Sequence, residues 1–410
     1  MFGFPNLRFP GFEGEWEEKI LSDLGTFSGG GTPSSSNEKF WNGNIPWISS
    51  SDLEEDNIFK INISRFITQD AIEKSSTKLC KAPSVLIVSR VGVGKVALSF
   101  NDVCTSQDFT NISELKCNQL YLAFQLSKVM KKAVNEVQGT SIKGISSSEI
   151  KSKKIYLPPT IEQEKISSFI EKIDKRIQTQ KKIIEQFETL MKVSRENIFS
   201  QKLRFKDEQG YDFHNWEKFK LGEIGNFQTS SIDKLSRENE NEVYLVNYMN
   251  VYRHEDINST TIKLFQKVTA KEQQITSCNL KKGDILFTPS SETPDDIGHS
   301  VVISENLENA VFSYHLMRFR PKIEIDILYS HYFCNIPIVL SQLSKFATGS
   351  TRFTISVKSF SDVEVSLPSL PEQKTIGKFL SLIENKIEIE KQILEKLELQ
   401  KKFLLANLFV

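Results

Sequence analysis

The feature of this 410-residue chain that most constrains its fold is a strand-to-helix junction that occurs twice. The chain has "IYLPPTIEQEKISSFI" at residues 155–170 and "VSLPSLPEQKTIGKFL" at residues 365–380. Both copies begin with alternating apolar residues, which favour a strand, and continue after prolines with a helical pattern. The copies are 365 − 155 = 210 residues apart. A repeat of this length predicts two duplicated globular units rather than a solenoid of short repeats.

The repeat extends to the start of each unit. Residues 7–9 and 203–205 are both Leu-Arg-Phe, and Trp16 is matched by Trp216. The offset between the copies grows from 196 at Leu-Arg-Phe to 200 at the tryptophans and 210 at the junctions. Insertions into a duplicated unit explain this growth. Between tryptophan and junction, short strand-like runs alternate with brief helical runs, which predicts a mixed α/β domain in each unit.

Each junction leads into one long predicted helix, at about residues 161–199 and 371–408. Both starts have a residue pair typical of a capping box, Thr160 with Gln163 and Ser369 with Glu372. Apolar residues then recur at alternating spacings of four and three, which indicates helices that pack along a stripe. The predicted stripes consist of Ile166, Ile170, Ile173, Ile177, Gln180, Ile184, Phe187 and Met191, and of Ile376, Leu380, Ile383, Ile387, Glu390, Leu394 and Leu397.

One polar residue interrupts each stripe at an equivalent place, Gln180 in the first helix and Glu390 in the second. Each lies near the middle of its helix. In an antiparallel pair the midpoints meet, and one polar layer in an apolar seam fixes the register. We therefore predict that Gln180 faces Glu390, against the alternative that both side chains point to water.

Composition narrows the class of protein. The 52 basic residues balance 52 acidic ones, which argues against a free-standing basic nucleic-acid binder but leaves basic faces open. The five cysteines are odd in number and form no C-x-x-C pair, a pattern that favours a reducing cytoplasm. We expect no signal peptide and no membrane-spanning segment, because no basic region precedes an apolar run and no long apolar stretch occurs.

Three fragments resemble catalytic motifs but lack parts that the chemistry needs. "NIPW" (Asn44–Trp47) has no glycine-rich cofactor loop with it, and "VGVGKV" (Val91–Val96) lacks the hydroxyl that holds magnesium in a phosphate loop. "TPDD" (Thr293–Asp296) lacks the acidic-x-Lys partner of a nuclease site, and the five histidines show no metal-binding spacing. We therefore predict no catalytic residue and no metal site in this chain.

Binding is better supported than catalysis. Residues 74–101 contain five basic residues and no acidic one, and residues 327–361 contain three basic residues and no acidic one. Loops combining small hydroxyl residues, amides and a cation lie at residues 29–36, 104–111, 139–144 and 349–354. Such mixtures hold phosphates and read base edges.

The ordered set of motifs resembles the specificity subunit of type I restriction–modification systems. It includes "GGGTPS" with "WNGNIPW", "VLIVSRVGVGKV", "GTSIKGIS", "IFSQKLRF" between the units, and the two L-P-x-x-x-E-Q junctions. The second unit departs from the pattern, since "FQTSSID" and "FTPSSETPDDIGHS" replace two of these motifs. The resemblance covers essentially the whole chain.

The resemblance implies an α+β multidomain fold. Two tandem α/β target recognition domains are each followed by a long helix, and the helices pack as an antiparallel coiled coil with pseudo-two-fold symmetry. The expected segments are an N-terminal lead (1–15), recognition domain 1 (16–158), a central spacer helix (159–200), a connector (201–215), recognition domain 2 (216–368) and a C-terminal spacer helix (369–410).

The resemblance also implies a function. Each recognition domain would read one half of a bipartite, asymmetric double-stranded DNA target, and the helix pair would set the spacer. The chain would catalyse nothing; S-adenosylmethionine, ATP and Mg would belong to partners, namely two modification (methyltransferase) subunits and the restriction (translocase and nuclease) subunits. Two alternatives stay open at this stage, a stand-alone diverged nuclease or methyltransferase and a structural coiled-coil adaptor.

Candidate DNA contacts follow from the loops of each domain. In the first domain they are Thr32, Ser34, Ser89, Arg90, Lys95, Gln107, Thr140 and Lys143. In the second domain they are Thr288, Ser290, Ser291, His299, Tyr314, His315, Thr351 and Arg352.

Overall fold

The computed structural model describes residues 3–137 and 144–410, and of Glu136 and Val137 it describes the backbone. The chain forms two compact units. The first comprises residues 1–182 and 392–410, and the second comprises residues 183–391. Among the described residues, no helix combines the length and the apolar character needed to cross a membrane.

The first unit is built on two four-stranded sheets and a two-stranded ribbon. Its strands are Glu17–Ile20 (β1), Thr26–Gly29 (β2), Ile45–Ile48 (β3), Arg65–Ile67 (β4), Leu79–Cys80 (β5), Ser84–Val88 (β6), Val96–Ser99 (β7), Val103–Thr105 (β8), Phe109–Ser113 (β9) and Lys154–Leu157 (β10). Its helices are Gln69–Glu73 (α1), Gln119–Val137 (α2), Ser147–Lys151 (α3) and the first part of Thr160–Phe199 (α4), with 3₁₀ turns at Leu21–Leu24, Glu38–Phe40 and Ser50–Asp52.

The strand orders in this unit are β2-β9-β6-β7, β4-β3-β8-β5 and β1-β10. Only β3 and β8 pair in parallel among these described strands. The turn between β6 and β7 has positive φ at Gly92 (81°) and Gly94 (101°), the left-handed region that glycine enters without strain. "VGVGKV" is therefore a turn between two strands.

The second unit repeats this plan. Its strands are Glu217–Lys220 (β11), Gly225–Thr229 (β12), Asn241–Val246 (β13), Lys267–Ala270 (β14), Ile285–Phe287 (β15), Ser290–Ser291 (β16), Ser300–Val302 (β17), Ala310–Phe312 (β18), Met317–Pro321 (β19), Phe353–Thr354 (β20) and Glu364–Leu367 (β21). Its helices are the end of α4, Leu221–Ile224 (α5), Tyr248–Tyr252 (α6), Glu272–Cys278 (α7), Ile327–Phe333 (α8), Pro337–Phe346 (α9), Val357–Ser361 (α10) and the first part of Leu370–Asn407 (α11), with a 3₁₀ turn at Thr261–Leu264.

Strand order shows the duplication directly. The sheet β12-β19-β15-β17 corresponds to β2-β9-β6-β7, and β14-β13-β18 corresponds to β4-β3-β8 with the same parallel pair inside. The ribbon β11-β21 corresponds to β1-β10. The second unit adds a short pair, β16-β20, which joins two of the predicted contact loops.

The two long helices lie where the sequence predicts them, and within each unit their segments run antiparallel. In the first unit Lys181 contacts Glu398 (3.1 Å) and Asp174 contacts Lys401 (2.5 Å). Lower residue numbers in α4 therefore pair with higher residue numbers in α11, as in an antiparallel pair. In the second unit Glu188 pairs with Lys391 at 2.8 Å.

The predicted apolar stripes are buried over most of their length. Buried members are Ile166, Ile170, Ile173, Ile177, Ile184, Ile376, Leu380, Ile383 and Leu397. Phe187, Met191, Ile387 and Leu394 are half-buried. Gln180 and Glu390 are each only 7% exposed, which excludes the alternative that both point to water. They belong to different units, and their pairing stays a prediction.

A buried ion pair explains why Leu-Arg-Phe and Glu-Gln recur together. The Glu162 carboxylate at the start of α4 is fully buried and accepts two hydrogen bonds from Arg8, both 2.8 Å. In the second unit Glu372 accepts two bonds from Arg204, at 3.1 and 2.8 Å. A bidentate guanidinium–carboxylate pair fixes orientation as well as charge. Each pair anchors the segment that precedes a domain to the start of the long helix that follows the same domain.

The glutamine of each junction fixes the domain to its helix. The Gln163 side chain donates to the Pro158 carbonyl (2.7 Å) and accepts from the Asn118 amide before α2 (3.0 Å). Gln373 does the same with the Pro368 carbonyl (2.9 Å) and the Asp326 amide before α8 (3.0 Å). The repeated motif is thus a structural joint between sheet, helix and prolines.

Candidate nucleic-acid interface

The glycine-rich loop of the first domain is held by close backbone contacts. A Cβ on Gly30 would lie 1.9 Å from the Ser106 carbonyl oxygen, so only glycine allows this approach. The Gly31 carbonyl accepts hydrogen bonds from the Trp47 indole (2.9 Å) and the Thr77 hydroxyl (3.1 Å). The loop therefore presents residues 32–36 from a fixed base.

Residues from two of the predicted contact loops of the first domain, 29–36 and 104–111, line one cleft of about 410 Å³ together with residues 89–90 and 144–147. Ser89, Arg90 and Gln107 line it, and the exposed Thr32 hydroxyl donates to the Gln107 side-chain oxygen. Ile145 also lines the cleft, and its amide donates to the Ser89 carbonyl at 2.8 Å. An exposed guanidinium, an amide and hydroxyls thus share one concave surface.

The remaining first-domain candidates divide by exposure. Ser34 is exposed and its hydroxyl lies 2.8 Å from that of Ser36, whereas the Ser89 hydroxyl is buried and donates to the Asp108 carbonyl at 3.0 Å. The Lys95 ammonium donates to the carbonyls of Ser50 (3.3 Å) and Leu53 (2.9 Å). These contacts favour loop-stabilising roles for Ser89 and Lys95. Thr140 and Lys143 lie outside the described residues.

In the second domain, strand pairing brings two predicted loops together. β16 pairs with β20, so Ser290 lies opposite Thr354 and the hairpin carrying Arg352 folds over the loop after β15. The Arg352 guanidinium donates to the Ser290 hydroxyl at 3.0 and 3.3 Å, while the Tyr248 hydroxyl donates to the Ser290 carbonyl at 3.1 Å. The Ile355 amide donates to the Pro289 carbonyl at 2.8 Å, which corresponds to the bond from Ile145 to Ser89 in the first domain.

A second group of residues continues this surface. His299 contacts the Asp296 carboxylate at 2.8 Å, and Asp296 also accepts from the Tyr252 hydroxyl at 3.0 Å. The rings of Tyr314 and His315 lie 3.9 Å apart. We refer to Tyr248, Tyr252, Ser290, Asp296, His299, His315 and Arg352 as the second-domain face.

Charge connects the members of this face. Burial, followed by the charge of Asp296, raises the pKa of Tyr248, and the positive charge of Arg352 acts in the opposite sense. Burial and then Arg352 lower the pKa of His315. The hydrogen bond to Asp296 raises the pKa of Tyr252. Near neutral pH both tyrosines are therefore protonated hydroxyls, which donate and accept hydrogen bonds.

Three second-domain candidates have different surroundings. Thr288 is fully buried, and the Ser291 hydroxyl donates to the Thr293 carbonyl within its own loop. Both arrangements favour structural roles. Thr351 is exposed at the tip of the hairpin beside Arg352.

The structure adds residues that sequence reasoning did not select. Tyr248 and Tyr252 stack at 5.8 Å between ring centroids, and their i, i+4 spacing on α6 was a visible signal. In the first domain Trp41 and Trp47 pack edge to face at 5.0 Å, with Arg65 over the Trp47 ring at 4.6 Å. The two tryptophans in "WNGNIPW" therefore support the glycine loop.

The donor set suits recognition rather than bond-making. Guanidinium, amide and hydroxyl groups contact phosphates and base edges. Within residues 3–137 and 144–410, no group of three or more histidine, cysteine, aspartate or glutamate side chains is placed to hold a metal ion.

Known proteins carry the same plan. The family model described as "Type I restriction modification DNA specificity domain" matches residues 13–189 and again residues 214–399. The type I restriction enzyme MjaIX specificity subunit of Methanocaldococcus jannaschii is 27% identical, over 93% of this chain and 89% of that protein.

Two solved structures have a similar fold. The crystal structure of a type I restriction–modification S subunit from M. genitalium is 16% identical and has a TM-score of 0.57, covering 99% of this chain and 99% of that one. A chain from a study of complex assembly and conformational transition of the type I R-M system is 16% identical, with a TM-score of 0.59 and coverage of 98% and 99%. With the family model matching both duplicated units, this chain belongs to the type I restriction–modification DNA specificity family.

Proposed function

We propose that this chain is the sequence-specific DNA-binding subunit of a type I restriction–modification complex. Each domain reads one half of a bipartite, asymmetric target, and the helix pair sets the spacer between the halves. The observation that carries the proposal is the repeated convergence of contact loops on one surface per domain, with each domain anchored to a long helix by a buried Arg–Glu pair.

The two surfaces differ in chemistry, which supports different half-sites. The first presents Arg90, Gln107 and Thr32 around a cleft, whereas the second presents Arg352 and two stacked tyrosines. Arginine and glutamine side chains form bidentate contacts with guanine and adenine edges in the major groove. An asymmetric target follows because unlike surfaces select unlike sequences.

The proposal extends to partners, which we expect to carry all catalysis. Two modification subunits with S-adenosylmethionine methylate adenine, and restriction subunits use ATP and Mg for translocation and cleavage. Because this chain has zero formal net charge, we propose that partners supply part of the attraction to DNA phosphates. The complex works in the cytoplasm, where its DNA is.

Exchange of one domain tests the proposal. Residues 16–158 are replaced by the equivalent domain of another member of the family, and the methylated motif is determined by methylome sequencing of cells that carry the same modification subunit. One half of the motif should change and the other should stay. The matched control replaces residues 216–368, which should change the other half. A change of both halves in one exchange would contradict modular reading, and methylation by the purified chain alone would contradict a non-catalytic role.

A further inference from the structure

A chain of hydrogen bonds leads from Asp296 of the second-domain face through His299 to a second histidine, His254. His254 Nδ1 lies 3.2 Å from the Ser300 carbonyl oxygen, and His254 Nε2 lies 3.2 Å from His299 Nδ1. His299 Nε2 lies 2.8 Å from the Asp296 carboxylate. All three distances are hydrogen-bond distances.

The chain fixes the number of protons on the two rings. A carbonyl oxygen and a carboxylate only accept, so His254 Nδ1 and His299 Nε2 must both carry hydrogen. The bond between the rings needs one more hydrogen. Three protons on four ring nitrogens are one more than two neutral imidazoles hold, so a hydrogen bond between the rings requires the pair to share a single positive charge, which the Asp296 carboxylate would balance.

The neighbours of the His254 ring act on its pKa. Partial withdrawal from water and then the His299 ring lower the pKa of His254, with Arg195 of α4 acting in the same direction. The other groups on this side are Tyr252, which bonds Asp296, and Glu292, whose charge acts on Tyr252.

The pair also determines the position of the loop that follows β15. Asn335 donates to the Ser300 carbonyl at 3.2 Å, so both lone pairs of that oxygen are used when His254 binds. Asp296 and His299 end the loop that begins with Ser290, where Arg352 and Tyr248 are bound. Loss of the shared proton turns the bond between the rings into a contact of two lone pairs. This removes one of the contacts on this end of the loop, which is also held by the Thr288 amide on the His299 carbonyl (2.9 Å) and the Gly298 amide on the Thr288 carbonyl (3.0 Å).

We propose that His254, Asp296 and His299 are positioning residues that hold the reading loop of the second domain through one shared proton, so that recognition of its half-site weakens as pH rises. The proposal deepens the proposed function and rests on it. The number of protons determines the direction of the pH dependence. The protonated pair holds the loop, and this contact is lost as pH rises through the midpoint of the pair's titration.

The sequence provides an internal control. All five histidines lie between His214 and His331, so the first recognition domain has none. Histidine is the side chain whose ordinary pKa lies between pH 5 and 8. Reading of the first half-site should therefore be independent of pH in this range.

Carbon–proton NMR of the imidazoles in the full chain tests the proton count without DNA. We expect the resonances of His254 and His299 to move together with one midpoint, as coupled groups do. Asp296→Asn should move that midpoint to lower pH, because the balancing negative charge is lost. Independent titration of the two rings, or two neutral rings at pH 5.5, would overturn the proposal even if DNA recognition is confirmed.

DNA affinity tests the consequence. The probe is a duplex with the target found by methylome sequencing, bound by the full chain with its modification subunits. Between pH ~6 and ~8 we expect affinity to fall roughly three- to tenfold, the effect of one net hydrogen bond. His299→Gln should abolish this dependence, whereas His214→Gln, an exposed residue of the connector, should keep it.

Two further outcomes distinguish the causes. If His315→Gln rather than His299→Gln removes the pH dependence, the proposal is wrong, since His315 faces Arg352 outside the pair. If the duplex does not bind at any pH, the proposed function fails, while the NMR titration still decides the proton count.

Discussion

Removal of the arginine from each buried Arg–Glu pair should destabilise the two units unequally. Arg8→Met leaves the Glu162 carboxylate, 0% exposed, without its cation, and Arg204→Met does the same to Glu372. Breaking a buried pair from one side costs about 3–5 kcal/mol, because an uncompensated charge stays buried. We expect about 3 kcal/mol for Arg8→Met, since the Arg8 side chain is 16% exposed.

The second pair has an additional donor. The Trp216 indole donates to Glu372 at 3.1 Å, while among the described residues the buried indole N–H of Trp16 has no acceptor. Glu372 therefore keeps one hydrogen bond when Arg204 is removed. A hydrogen bond to a charged group contributes about 1.5–3 kcal/mol, so Arg204→Met should cost about 1.5 kcal/mol less than Arg8→Met, the lower end of that range.

Removal of the carboxylate should cost less than removal of the arginine in both units. Glu162→Gln leaves Arg8 near the surface, where water and the carbonyls of Glu13 and Gly14 can satisfy it. We expect about 1–2 kcal/mol for this substitution. The double variant with Arg8→Met and Glu162→Gln should be more stable than Arg8→Met alone, because no buried charge remains.

Urea denaturation followed by tryptophan fluorescence measures the totals, and hydrogen exchange at the starts of α4 and α11 assigns each loss to its unit. Trp216 reports on the second unit, and the other three tryptophans of the chain report on the first, so total fluorescence follows both transitions. Equal costs for Arg8→Met and Arg204→Met, or a greater cost for Glu162→Gln than for Arg8→Met, would refute the reasoning from burial.

Three further predictions concern DNA reading. Inserting one heptad into both α4 and α11 lengthens each helix by about 10 Å, which corresponds to about three base pairs of DNA. Methylome sequencing should then show the same half-sites, weakly methylated, with a spacer about one or two base pairs longer. Full methylation at an unchanged spacer would mean that the helices do not set the spacer. Gly30→Ala should weaken first-half-site binding about tenfold or more, because the added methyl meets the Ser106 carbonyl. A Cβ added at Gly29 would have no atom within 4 Å, so Gly29→Ala should keep the wild-type melting temperature. Equal melting temperatures for the two variants would count against the close-contact argument. Arg352→Ala should weaken second-half-site binding in electrophoretic assays. If Arg352 contacts a phosphate, the dependence of log affinity on log salt concentration should become about one unit less steep; if it reads a base, specificity at that position should relax. Unchanged affinity would mean that Arg352 is not part of the interface.

The helices and the duplication could be predicted from the sequence, because both depend on local pattern. The junction motif and a repeating apolar stripe place α4 and α11 within one residue of their observed starts and ends. The predicted capping boxes are wrong, because Gln163 bonds the Pro158 carbonyl and the Asn118 amide instead. Among the described residues, the buried Ser369 hydroxyl has no partner. The two copies of the junction, 210 residues apart, predict equivalent folds in the two units, and the matched strand orders confirm this.

Individual contact residues were harder to predict, because their exposure depends on long-range packing. Lys95 lies in a basic run typical of a DNA surface, yet its ammonium is bound to two carbonyls more than 40 residues away. Thr288 follows a buried strand by one residue and is itself fully buried. Tyr248 and Tyr252 join the second-domain face through Ser290 and Asp296, and no local pattern indicates those partners.

The composition of the two units explains why both repeats belong to one chain. The first unit includes residues 392–410, the end of the second repeat's helix, and the second unit includes residues 183–199, the end of the first repeat's helix. In the first unit the Leu7 amide donates to the Asn407 carbonyl at 2.9 Å, and in the second the Leu203 amide donates to the Asn197 carbonyl at 3.0 Å.

Each core is therefore completed by a helix end from the other repeat. Leu404, Leu408 and Phe409 pack into the core of the first domain, where the Phe409 ring lies 5.1 Å from that of Tyr121. A first repeat alone would expose this apolar surface to water, at a cost of about 25 cal/mol per Å². Covalent duplication keeps both helix ends at high effective concentration and allows the two domains to differ in sequence, which an asymmetric target requires.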